Sequence, residues 1–196
     1  WIPADKRRVA QKRSTGKFKK PEGCPKTTSK KVINIYHIEK SNLVNGNGNR
    51  FVVWVQGCSL GCPGCWNVET WDSSPNILLS ADDIFSQIPE NCEGVTFTGG
   101  EPFQQDRELV PLAKLIKERG LSLQVFTGYR LDEVENSPLL PYVDILVAGR
   151  YGEEQKIYNF SSDSWEFDRD IEVDIDEDGN LTITGYPSNK FLKDLK

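Results

Sequence analysis

Four short, nearly continuous apolar runs set the strongest limit on what this chain can fold into. They are "RFVVWVQG" (50–57), "GVTFTGG" (94–100), "LSLQVFTG" (121–128) and "VDILVAG" (143–149), each ending in glycine. Runs of this length without polar alternation are expected of strands buried on both faces. Helical signals separate them. Ser80 stands ready to cap a helix whose first turn carries Asp82 and Asp83. Leu109, Leu112, Ala113 and Ile116 recur with helical spacing, and Gly120 stops that helix. Pro111 fits only if it lies in that helix's first turn. "LDEVENSPLL" (131–140) reads as a third, short helix. Strands alternating with helices predict an α/β fold made of βαβ units on a parallel sheet. Upstream, "VINIYHI" (32–38) reads as a further strand and "NGNGN" (45–49) as a turn; downstream, "IEVDIDEDGNLTIT" (171–184) reads as a β-hairpin.

The chain has 196 residues, enough for one domain with an extension. Residues 1–31 hold eleven Lys and Arg against Asp5 and Glu22, a balance of +9; the whole chain is −5, so the rest carries −14. We therefore divide it into a basic, flexible extension (1–31) and a domain (32–196) whose terminal hairpin spans 170–186. Such an arm suits a solvated tail or a dock for an acidic surface. Its aromatic residues are Trp1 and Phe18 alone and it shows no binding-motif signature, so nucleic acid is not an expected partner. No run is long and apolar enough for a membrane span and no signal-peptide pattern stands out, so no membrane association is expected. The chain opens on Trp1 and contains no methionine, which reads as a trimmed product or a piece of something longer. Five cysteines, three of them crowded together, argue against a secreted disulfide framework and for metal chemistry in a reducing, cytoplasmic compartment.

In a parallel α/β sheet, chemistry gathers at the carboxyl ends of the strands. Four loops would converge there: "GCSLGCPGCWN", "TGGEPF", "TGYR" and "AGRY". The first presents Cys58, Cys62 and Cys65 as C-x3-C-x2-C. Thiolates are soft ligands that favour zinc or iron–sulfur clusters, and a 4Fe–4S cube takes one ligand per iron. Three thiolates would hold three corners and leave one iron open. Gly57, Gly61 and Gly64 would let the backbone wrap the core, and Pro63 would stiffen the turn. The alternative is a zinc knuckle that borrows a fourth ligand from Cys92, Cys24 or His37. In "FTGGEP" (97–102), Gly99 and Gly100 leave backbone groups accessible, and Glu101 adds a carboxylate able to meet an ammonium group.

C-x3-C-x2-C followed by a strand ending in G-G-E resembles the radical S-adenosylmethionine superfamily. The stretch "LVNGNGNRFVVWVQGCSLGCPGCWNVETW" is similar to the opening of its small activases of anaerobic ribonucleotide reductase, and "FTGGEPF", "TGYRLDEV" and "VDILVAGRY" are similar to their later segments. The resemblance covers residues 32–151. It implies an incomplete, open parallel βα barrel, because 196 residues fall short of the ~250 of a closed eight-stranded barrel. It implies a 4Fe–4S cluster on Cys58, Cys62 and Cys65, with S-adenosylmethionine on the open iron. Thr98, Gly99 and Gly100 would line the methionine moiety, Glu101 would meet its ammonium, Trp66 would lie near the adenine, and Thr127 and Tyr129 near the ribose or sulfonium. The implied reaction is reductive cleavage of S-adenosylmethionine to a 5′-deoxyadenosyl radical, which takes a hydrogen atom from a glycine of a partner such as anaerobic ribonucleotide reductase. Flavodoxin or ferredoxin would donate the electron.

Two features depart from that group: the basic arm, and "YNFSSDSWEFD" where the group often has R-G-S-x-N-Q. Two other readings stay open, a radical enzyme that modifies a peptide or small molecule, and a non-catalytic metal or iron–sulfur module. His37 is read as a strand or surface residue, Cys92 as a small buried residue, Trp54 and Trp71 as packing residues, Cys24 as incidental, and Asp174, Asp176 and Asp178 as a solvated turn.

Overall fold

The computed structural model describes residues 31–161, 171–175 and 181–185. The four apolar runs form the strands β2 (Arg50–Val55), β4 (Gly94–Gly99), β5 (Ser122–Thr127) and β6 (Ile145–Ala148), given with β1 (Val32–Asn42), β3 (Ile77–Ser80) and β7 (Lys156–Asn159) as one seven-stranded sheet. The strand order is β3-β1-β2-β4-β5-β6-β7, and the sheet does not close. β2, β4, β5 and β6 run parallel, as expected. β1, β3 and β7 pair antiparallel, which departs from the all-parallel expectation. The physical reason lies in the connections. Residues 43–49 turn β1 directly into β2 with no crossover helix, and a direct turn allows only antiparallel pairing. β3 and β7 are four-residue edge strands, one running straight into a helix cap and the other partly polar, so neither carries a periodic signal.

The helices α1 (Ala81–Phe85) and α2 (Asp106–Glu118) follow the predicted positions, whereas α3 (Leu131–Val134) starts where expected but ends well short of Leu140, the chain passing through turns into a 3-10 turn at Leu140–Tyr142. Ser80 caps α1 in a reciprocal box with Asp83, each side chain taking the other's backbone N–H at 3.2 Å. α2 buries Leu109, Leu112, Ala113 and Ile116 against the sheet. A 3-10 turn, Pro102–Gln105, leads into it, so Pro111 lies in the helix body and not in its first turn. Its missing N–H frees the Arg107 carbonyl, which accepts from Lys31 Nζ at 3.5 Å, and Pro111 itself lies on the exposed side of the helix.

One face of the sheet forms the core: Ile33, Ile35, Phe51, Val53, Val55, Val95, Phe97, Leu123, Val125 and Leu146 pack against α1 and α2. Each such side chain stabilises the fold by about 1.5–3 kcal/mol on burial. The other face carries the row Val52, Thr96, Gln124 and Ile145, also buried. β8 (Ile171–Ile175) and β9 (Leu181–Gly185) pair antiparallel as the predicted hairpin. Residues 1–30, 162–170, 176–180 and 186–196 lie outside the described residues; with them go all of the basic arm but Lys31, together with Cys24, positions 162–168 of "YNFSSDSWEFD", Asp176 and Asp178. Among the described residues no helix is long and apolar enough to cross a membrane.

Candidate active site at the carboxyl ends of the parallel strands

The cysteine loop leaves β2 under tight backbone control. Gln56 N–H donates to Asn34 O at 2.8 Å, Gly57 N–H to Thr70 O at 2.7 Å and Cys58 N–H to Trp71 O at 3.2 Å. Gly57, Gly61 and Gly64 have φ of 109°, 60° and 77°, left-handed values that curl the loop as the sequence suggested. Cys62 is buried, Cys58 and Cys65 half-buried, and all three thiols are free. Burial, followed by the nearby carboxylate and thiols, pushes the Cys58 thiol up, against a backbone hydrogen bond at Leu60 that lowers it. Iron bound here would reverse that balance, since a coordinating thiol is deprotonated outright.

Among the described residues, no three His, Cys, Asp or Glu side chains converge on a point that one metal ion would fill. A cube with one thiolate per iron spreads its ligands over a larger core. Among the described residues the zinc alternative finds no fourth ligand, and Cys24 lies outside them. Cys92 precedes β4 at the far end of the sheet, roughly 16 Å away at ~3.3 Å per residue, where its Sγ donates to Gly94 O at 2.9 Å. His37 packs on Trp54, ring centroids 5.5 Å apart, and burial lowers its pKa.

The turn after β4 is stitched to this loop. Gly100 N–H donates to Val55 O and Glu101 N–H to Gly57 O, both at 2.9 Å. A Cβ on Gly100 would stand 2.4 Å from Gly57 O, so only glycine allows the approach. Glu101 is 1% exposed. Its Oε1 accepts from Phe103 N–H at 3.0 Å and Thr127 Oγ1 at 2.8 Å, and its Oε2 from Gly128 N–H at 2.9 Å. Burial pushes its pKa up to about 7, while these donors and the charge of Arg150 pull it down. A carboxylate offers about four acceptor positions, so roughly one remains for an outside donor.

The remaining expected site residues fall around this pair. Thr98 is half-buried on β4 opposite Trp54, Asn67 Nδ2 donates to Gly99 O at 3.4 Å, and Trp66 is 46% exposed beside the third cysteine. The Thr127 hydroxyl is committed to Glu101 and to Tyr129 N–H. Tyr129 OH accepts from Gln104 Nε2 at 2.9 Å, and its ring lies 5.1 Å beneath the Arg150 guanidinium. Arg150 pairs with Glu133 at 2.8 Å and donates to Gly128 O.

Sequence reasoning missed Gln104, Gln105 and Arg150. Gln104 Nε2 also reaches Ser59 Oγ at 2.8 Å, next to Cys58. The only available signal was two adjacent amides in "EPFQQ" at a predicted loop mouth. A hollow of about 300 Å³ at the opposite, amino end of the sheet is lined by Arg50, Glu93, Lys117, Ser122 and Asp144 among others. Its charges are already spent: Lys117 pairs with Asp144 at 2.6 Å, and Arg50 donates to Thr96, Asn47, Val95 and Ser122.

The donor set therefore fits an iron–sulfur cluster: three free thiols in one curled loop, locked to a turn that presents a buried carboxylate. Comparison with known proteins agrees. The model of the "4Fe-4S single cluster domain" family matches residues 44–169. An anaerobic ribonucleoside-triphosphate reductase-activating protein from Haemophilus influenzae is 31% identical over 137 residues, 63% of this chain and 87% of that protein. The protein of the same name from Enterobacteria phage T4 is 32% identical over 61% of this chain and 81% of its own length. A pyruvate formate-lyase-activating enzyme from Clostridium pasteurianum is 34% identical over 58% of this chain and 50% of its own. Loop, turn and relatives together place the chain in the 4Fe–4S single cluster domain family and, within the radical S-adenosylmethionine superfamily, among the glycyl-radical activating enzymes, with a 4Fe–4S cluster and S-adenosylmethionine as cofactors.

Proposed function

We propose that this enzyme installs a glycyl radical on a partner of the anaerobic ribonucleotide reductase kind. The observation that carries the reading is the stitching of the three-thiol loop to the Glu101 turn at one end of the sheet. In this reading Cys58, Cys62 and Cys65 hold the cluster. When bound, the cluster supplies the electron that splits S-adenosylmethionine into methionine and a 5′-deoxyadenosyl radical. Backbone groups of Thr98, Gly99 and Gly100 line the methionine moiety. Glu101 offers its remaining acceptor position to the ammonium, while Thr127 and Gly128 hold that carboxylate still. Exposed Trp66 covers the adenine, and Tyr129, braced by Gln104 and Arg150, borders the ribose. The sheet is one wall of an incomplete βα barrel, and its open side admits a macromolecular substrate.

Residues 32–196 form the catalytic domain, with the 170–186 hairpin inside it and 1–31 as an extension. A cytoplasmic setting and a flavodoxin or ferredoxin donor suit free thiols and a low-potential cluster. The relatives' names support the partner, and the 34%-identical pyruvate formate-lyase-activating enzyme makes a second glycyl-radical enzyme the natural comparison.

The test mixes the reconstituted chain, reductant and S-adenosylmethionine with anaerobic ribonucleotide reductase or with pyruvate formate-lyase. A glycyl doublet in the electron paramagnetic resonance spectrum of either enzyme is the expected result, with the reductase favoured. Abundant 5′-deoxyadenosine with no radical on either would move the target to a peptide or small molecule.

A further inference from the structure

Two consecutive carbonyls, those of Gln56 and Gly57, immediately precede the first cysteine. Both are held by the single short turn that follows β4. Glu101 N–H takes the Gly57 carbonyl at 2.9 Å, and Gln105 Nε2 takes the Gln56 carbonyl at 2.9 Å. Gln105 also grips β1 as a strand would: its Oε1 accepts Asn34 N–H at 2.8 Å, and its Nε2 donates to Asn34 O at 3.1 Å. One half-buried amide thus joins β1, the end of β2 and the turn that carries Glu101. The Gln56 side chain fixes the far side of the same residue by donating to Asp72 O at 2.5 Å and Glu69 O at 3.3 Å. Neighbouring Gln104 holds the residue after Cys58, accepting Ser59 N–H at 3.2 Å.

We propose that Gln105 is a positioning residue that sets the place of Cys58 relative to Glu101, and so the place of the cluster relative to S-adenosylmethionine. The inference rests on the function proposed above. No other side-chain type does this work from position 105. Glutamate would keep the acceptor for Asn34 N–H but turn both donated bonds into carboxylate–carbonyl repulsion, and methionine would keep the length and lose all three bonds. Groups that orient a metal ligand without touching the metal typically cost 10- to 100-fold in affinity or activity when removed.

The test compares the full wild-type chain with Gln105→Met and Gln105→Glu, each reconstituted anaerobically. Electron paramagnetic resonance of the reduced cluster is followed during titration with S-adenosylmethionine. Both variants are expected to bind S-adenosylmethionine roughly 10- to 100-fold more weakly and to show an altered spectrum of the bound state. A variant that melts earlier yet keeps the wild-type affinity and spectrum would overturn the proposal, because a merely structural brace moves the melting point alone. Amide hydrogen exchange on the apo chain separates this from failure of the function itself. Gln105→Met is expected to speed exchange at Gly57 and Cys58 at least tenfold while leaving β4 and β5 unchanged. Unchanged exchange at those two amides would overturn the clamp even if no cluster ever responds to S-adenosylmethionine. Should Gln105→Met fail to fold, the same exchange is read from Gln105→Glu with the same expectation.

Discussion

Glu101 is where burial and function pull hardest against each other. The carboxyl is 1% exposed and its pKa is pushed up to about 7, against an ordinary 4.5. A carboxyl raised on folding binds more protons in the native state, so its contribution to stability is lost as pH rises from about 4.5 through 7, a cost of order 3 kcal/mol by linkage. Glu101→Gln removes that titration. Urea unfolding of the apo chain at pH 5 and pH 8 should show the wild type weakening relative to the variant at the higher pH. His37, lowered in pKa, acts with the opposite sign but is present in both chains and cancels in the difference. Parallel pH curves would remove the buried-carboxylate account. At the same scale, Cys58→Ser is expected to abolish stable cluster loading. Iron and labile sulfide per chain report it, and full loading in that variant would dismiss Cys58 as a ligand.

At the scale of elements, two positions separate the site end of the sheet from its stabilising end. Gly100→Ala would drive a Cβ to 2.4 Å from Gly57 O, and overpacking of this kind costs typically 1–3 kcal/mol. Thermal unfolding should show the loss, and S-adenosylmethionine binding should fall with it because loop and turn move apart. Arg50 is 1% exposed at the other end, its guanidinium spent on Thr96, Asn47, Val95 and Ser122. Arg50→Met leaves those acceptors without a donor, with ~1–3 kcal/mol for each buried group left unsatisfied. Stability should drop while S-adenosylmethionine binding by the folded fraction stays intact. The apolar runs made β2, β4, β5 and β6 legible, and the capping and periodic residues made α1 and α2 legible. β3, β7 and the antiparallel sense of β1 were not, because four-residue edge strands carry no period and strand direction is decided by connections.

For the whole molecule, the division of labour between the two ends of the sheet was visible in the sequence, since glycine-rich and cysteine-bearing loops cannot pack a core. The three thiols and the G-G-E turn were readable as motifs. The clamp through Gln105 was not, since its partners are backbone groups of Asn34 and Gln56, 71 and 49 positions away, and nothing in their side chains advertises the contact. The bracing of Glu101 by the Thr127 hydroxyl was equally hidden, since it joins residues 26 positions apart. The central claim is reductive cleavage of S-adenosylmethionine by this chain, and it is tested by quantifying 5′-deoxyadenosine after anaerobic reconstitution and addition of dithionite. The account predicts 5′-deoxyadenosine and methionine in equal amounts, lost in Cys58→Ser. A fully loaded, reduced protein that yields neither product would contradict it.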